Sequence, residues 1–90
     1  MLYEINFTRR FKKAHKKLSQ AHKELVKATI TQLANGESLP TKCHDHALQG
    51  EWLGYRECHI KPDLLLVYKI DKNLLILTCV NLGSHSKAFK

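Results

Sequence analysis

Long apolar runs are missing from this chain of 90 residues. The longest is Leu64–Tyr68, far short of the roughly 20 residues that a membrane-spanning helix requires. Residues Met1–Lys13 are charged throughout and lack the apolar centre of a secretory signal. Cysteine is scarce. Cys43, Cys58 and Cys79 are odd in number and widely spaced, which argues against a disulfide-stapled scaffold and for reduced thiols in a cytoplasmic protein. No CxxC pair and no HxxxH spacing is present, so the zinc signal is weak. Two prolines and four glycines leave no flexible linker, and neither repeats nor low-complexity stretches occur. A single domain over residues 1–90 is expected, with one modest core. Acidic residues are also few: 8 against 15 lysines and arginines, for a net charge of +7. Such a balance points to a polyanionic partner, whether RNA, DNA, an anionic membrane or an acidic protein. The plainer alternative is a basic protein whose lysines are merely solvated.

What is present is patterned. LYEINF alternates apolar and polar residues and reads as a first strand. Thr8 is placed to cap a helix over RRFKKAHKKL, in which Phe11, Ala14 and Leu18 share a face and the lysines take the other. After a break at Ser19 or Gln20, AHKELVKATITQLANG reads as a second helix. Leu25, Val26, Ile30 and Leu33 form its apolar stripe, and Asn35 and Gly36 supply its stop. ESLPTKCHDHALQGE reads as a loop. WLGYRECHI, LLLVYKI and LLILTCVN read as three strands joined by KPD and DKN turns, with LLLVYKI apolar enough to be central. A glycine-led turn and tail, GSHSKAFK, follow. The order β-α-α-β-β-β predicts an α+β fold, with an antiparallel sheet of about four strands packed against a helical hairpin.

The titratable residues cluster around the strands. His59 is expected to end one strand and Asp63 to open the next, so that the Pro62 turn brings them face to face. His46 lies in the loop before the meander and His85 in the turn after it. Three histidines and a carboxylate in one cleft would suit cleavage of RNA by its own 2′-hydroxyl. That reaction needs a base, an acid and cations around the phosphate, and imidazole populates both protonation states near neutrality. Arg56 and nearby lysines could hold phosphate, and Phe89 could stack an unpaired base. Lys12, Lys13, Lys16 and Lys17 form a basic helix face suited to phosphate contacts. Three bland readings stand beside this one. His15 and His22 read as surface residues, Trp52 and Tyr68 as core, and Asp63 can be a turn residue only. Cys43, His44, His46, Cys58, His59 and His85 are a rival set of metal ligands.

D-H-x-L-x-G from Asp45, W-x-x-Y-R from Trp52, H-x-x-P-D from His59, G-S-H from Gly83 and a final Phe89 make a specific combination over residues 45 to 89. On it, the chain resembles the YafQ-type toxins of the RelE/ParE superfamily, bacterial type II toxin–antitoxin ribonucleases. The resemblance implies a RelE-like fold and cleavage of mRNA in the ribosomal A site. It implies no cofactor or metal, and a cognate antitoxin as partner. It assigns catalysis to His46, His59, Asp63 and His85, with His85 as general acid and the base shared as a question between Asp63 and His46. Phe89 would help hold mRNA, and Arg56 falls on the arginine of the family's Y-R pair. Some relatives carry tryptophan at the position of Leu64, and many carry arginine at that of Asn81. Transition-state charge would here rest more on His46, His59 and lysines. Two further readings share the charge pattern: a gyrase-inhibiting poison of the same fold, and a binding module for RNA or an acidic protein.

Overall fold

The computed structural model describes residues 1–84. Strand β1 (Glu4–Phe7) leads into helix α1 (Arg9–Lys16), followed by α2 (Gln20–Ala34). Both helices start on the side chain that local chemistry selects. Thr8 Oγ1 accepts from the Phe11 amide at 3.1 Å, and Ser19 Oγ accepts from His22 at 3.2 Å. Asn35 closes α2, and Gly36 then takes φ +78°, a conformation that side chains disfavour.

Beyond the helices the chain builds a meander of β2 (His46–Ala47), β3 (Arg56–Lys61), β4 (Leu64–Asp71) and β5 (Ile76–Gly83). The sheet has five strands in the order β1-β5-β4-β3-β2, and β1 runs parallel to β5. The fold is α+β as expected, with one strand more than the four anticipated. The extra strand, β2, is two exposed residues inside the predicted loop, too short to leave a periodic signal. LLLVYKI is indeed central, and Leu64 to Tyr68 are all buried. Its alternate residues Leu64, Leu66 and Tyr68 join Phe11, Val26, Ile30, Leu33, Leu77 and Cys79 in the core beneath the helices. Each such buried aliphatic side chain contributes about 1.5–3 kcal/mol.

Several boundaries move. WLGYRECHI is not one strand: Gly50–Trp52 forms a 3-10 turn and β3 begins only at Arg56. Gly50 (φ +64°) and Gly54 (φ +97°) break the extended run. The DKN turn spans residues 72–75, where the Asp71 carboxylate accepts from the Asn73 and Leu74 amides. The last strand therefore starts at Ile76 and keeps Gly83 within it, and the expected turn after Gly83 lies mostly outside the described residues. Leu25 is exposed, because it lies one residue, about 100° of helix rotation, from the buried Val26.

Strand β5 carries a bulge. Asn81 pairs with Val67 and Cys79 with Tyr68, which leaves Val80 without a partner in the ladder. Thr8 occupies the gap. Its Oγ1 donates to the Val80 carbonyl at 2.5 Å and its amide donates to Cys79 at 3.1 Å. One residue thus caps α1 and fastens it to the sheet.

Candidate functional site

Strand alternation decides which side chains meet. Side chains paired across neighbouring strands share a face. His46 pairs with Glu57, Glu57 with Val67 and Val67 with Asn81, which makes one row across the face away from the helices. The next row is His59, Leu65 and Gly83. Glu57 lies between the two histidines. Its Oε1 is 3.4 Å from His59 Nε2 and 3.8 Å from His46 Nε2, ion-pair distances when the rings are protonated. The carboxylate is 5% exposed, whereas the two rings are 30% and 50% exposed. A buried charge is costly unless paired, and the two accessible imidazoles are the partners within reach of this one.

Glu57 is the residue that the sequence reading missed. The signal was available: Glu57 and His59 are two apart on a strand and so project from one face. His44, read only as a candidate metal ligand, meets the His59 ring edge-on, with centroids 5.6 Å apart.

The remaining predicted residues are placed as follows. His59 does not face Asp63 across the hairpin. A bulge at Ile60 puts His59 opposite Leu65 and Lys61 opposite Leu64, and leaves Pro62 and Asp63 as the turn itself. Asp63 instead lines a hollow at the end of the sheet with Arg10, Lys13, Lys17, Gly83 and Ser84. The basic face of α1 is therefore divided. Lys13 and Lys17 border the Asp63 hollow, Lys12 borders a groove beside Phe7 and Val26, and Lys16 is exposed. His85 and Phe89 lie outside the described residues, the first directly after Ser84. Of the residues read as bland, Tyr68 is core, His15 stacks on Phe11 at 5.7 Å, and the Trp52 ring meets Tyr55 edge-on at 5.4 Å.

Arg56 is on the opposite face from Glu57. It pairs with Tyr68 across the ladder, and its Nε donates to Tyr68 Oη at 3.3 Å and to Asp45 Oδ1 at 3.4 Å. The Tyr68 hydroxyl donates to the same Asp45 oxygen. Burial, reinforced by the Asp45 carboxylate, pushes the Tyr68 phenol above its ordinary range. The Tyr68 contact likewise holds the Arg56 guanidinium in its charged form. The guanidinium thus serves the loop that carries His46. Cys58 and Cys79 project into the core, where burial pushes the Cys58 thiol well up and the Cys79 thiol up to about 12. Cys58 is thereby separated from His46 and His59 by the sheet. Among the described residues, no group of three or more His, Cys, Asp or Glu is arranged to hold a metal ion. No helix among them is long and apolar enough to cross a membrane.

This arrangement has known relatives. A family model described as the bacterial toxin of type II toxin–antitoxin system, YafQ, matches residues 3–90. The mRNA interferase toxin YafQ of Escherichia coli K12 is 35% identical over 89 residues, covering 96% of this chain and 95% of that protein. The crystal structure of YafQ from E. coli BL21(DE3) superposes with a TM-score of 0.86 at 31% identity, covering 98% of this chain and 99% of that one. YafQ in the E. coli DinJ–YafQ toxin–antitoxin complex superposes at 0.83, with 31% identity and full coverage of both chains. A metal-bound toxin from Helicobacter pylori gives 0.83 at 39% identity, covering 97% of this chain and 98% of that one. The two rows of side chains on the sheet face away from the helices therefore sit in a chain that belongs to the YafQ family of bacterial type II toxins.

Proposed function

We propose that this chain is an endoribonuclease toxin that cleaves mRNA in the ribosomal A site, without a metal, and is held inactive by a cognate antitoxin. The observation that carries this reading is the convergence of His46 and His59 on the buried Glu57 carboxylate. At the end of the sheet, Asp63, Lys13, Lys17 and Gly83 line a second hollow. The E. coli relative is itself an mRNA interferase, and its complex with DinJ supports an antitoxin partner here.

In the proposed reaction His46 or Asp63 removes the proton from a ribose 2′-hydroxyl. The resulting alkoxide attacks the adjacent phosphorus, and the bond to the 5′ oxygen breaks. His85, directly beyond the described residues, gives its proton to that oxygen. Protonated His59, oriented by Glu57, stabilises the charge gathering on the phosphate. Such stabilisation does not require the arginine that many relatives carry where this chain has Asn81. Arg56 supports the His46 loop from behind, Phe89 is assigned to mRNA by family resemblance, and the exposed Lys12 and Lys16 dock ribosomal RNA through phosphate contacts.

The test is translation-coupled cleavage of a defined mRNA by wild type and by His85→Ala, with ends mapped and chelator added in a parallel arm. Cuts confined to one codon position, lost in His85→Ala and unaffected by chelator, are the expected result. Equal cleavage by both proteins would remove the acid role from His85, and loss on chelation would make the reaction metal-dependent. Intact mRNA together with inhibited DNA supercoiling would instead favour the gyrase poison.

A further inference from the structure

His46 lies on a strand of two exposed residues at the edge of the sheet, a position with little to fix an imidazole. Yet its ring is held. His46 Nδ1 is 2.6 Å from the carbonyl of His44. A carbonyl oxygen only accepts, so Nδ1 carries the proton and the neutral ring keeps its lone pair on Nε2. Nε2 is the atom that faces Glu57. Free neutral imidazole favours the other tautomer, with the proton on Nε2, so the protein must impose this one.

The means lie on the opposite face. For the His44 carbonyl to turn back toward His46, His44 adopts a left-handed conformation, φ 46° and ψ 45°, which few residues other than glycine adopt readily. The residue between the two histidines is Asp45. It is gripped through Oδ1 by the Tyr68 hydroxyl and by Arg56 Nε. Tyr68 is 1% exposed and fixed in the core, and Arg56 pairs with Ala47, the residue after His46. The loop is therefore anchored on both sides of His46, from behind the sheet, while the ring projects in front.

We propose that Asp45, Tyr68 and Arg56 are positioning residues that set the tautomer of His46, so that its Nε2 is presented as the general base. This deepens the ribonuclease reading above and rests on it for its catalytic part. It also separates the two candidates for the base: the neutral His46 ring presents Nε2 as its acceptor, next to the Glu57 carboxylate, and Asp63 is left to the turn.

The experiment uses the full chain, labelled with ¹⁵N-histidine and observed by NMR on the alkaline plateau of its own histidine titration, where the ring is neutral. Wild type should show His46 as the Nδ1–H tautomer. Tyr68→Phe keeps the buried ring and loses only the hydroxyl, and Asp45→Asn keeps the loop residue's size and loses its charge. Both should move His46 toward the Nε2–H form while the His15 signals stay in place. Cleavage at saturating substrate should fall about tenfold to a hundredfold in each, with KM unchanged. If Tyr68→Phe does not fold, Asp45→Asn decides, because Asp45 lies on a partly exposed loop. An unchanged His46 tautomer in the folded variants overturns the proposal. A wild-type chain that cleaves no mRNA overturns the ribonuclease reading instead, and the tautomer measurement still decides the positioning claim.

Discussion

At the scale of single residues, the site is organised around a charge that no titration curve of an isolated residue would suggest. Glu57 is buried on the sheet face and within ion-pair reach of two histidines. Glu57→Gln keeps the shape and removes the charge that orients a protonated His59. The expected outcome is a fall in mRNA cleavage of about 10–100-fold, read from initial rates at fixed ribosome concentration. A wild-type rate would show that the carboxylate serves only packing. The cysteines give a second residue-level expectation. Cys58 and Cys79 are buried with raised thiol pKa values, while Cys43 is partly exposed. Because the thiolate is the reacting species, alkylation at neutral pH should modify Cys43 quickly and the other two only on unfolding, a count that mass spectrometry reads directly. Rapid modification of three thiols in the native protein would contradict the burial.

At the scale of elements, Thr8 connects one helix start to one strand bulge. Thr8→Ala removes the cap and leaves the Val80 carbonyl without its side-chain donor. The expected cost is about 1–2 kcal/mol, visible as a lower urea midpoint with an unchanged slope. The helices were legible in the sequence for this same reason. Thr8 and Ser19 announce starts, Asn35 and Gly36 a stop, and the 3.6 period of Val26, Ile30 and Leu33 fixes the buried face. The central strand was legible because burial on both faces leaves an uninterrupted apolar run. What escaped notice depends on pairing rather than pattern. The two residues of β2 have no period of their own. The bulge at Ile60 moves His59 by a register step that only β4 defines. The candidate histidines were readable through family motifs; strand alternation puts Glu57 on the face of His59, but its burial and its reach to His46 were not readable. Its burial comes from Val67 and from the strands on either side, none of which is adjacent in the chain.

At the scale of the whole molecule, two expectations concern charge and pH. With +7 net charge, binding to a polyanion should weaken steeply with salt. Reversing Lys12, Lys13, Lys16 and Lys17 should make the plot of log affinity for ribosomes against log salt shallower by up to about 3 units, if each of the four meets a phosphate. An unchanged slope would remove α1 from the docking surface. The second expectation is alkaline lability. The Cys79 thiol is raised from 9.0 to about 12 in the fold. Between those values the unfolded chain releases a proton that the folded chain keeps, so unfolding becomes more favourable as pH rises. The stabilisation is complete below pH 9.0 and declines toward pH 12, at about 1.4 kcal/mol per pH unit for one such group. Tyr68 and Cys58 act in the same direction. Urea titrations from pH 8 upward should record the decline, and Cys79→Ala should reduce its slope even where it lowers stability overall. The parallel pairing of β1 with β5 has a different kind of consequence. Thr8 and Val80 are 72 positions apart in the chain yet bonded in the fold. During synthesis the first strand must wait for the last before the sheet can close, and contacts of such separation slow folding. The face that carries His46 and His59 thereby has no completed sheet behind it until the last strand has been made.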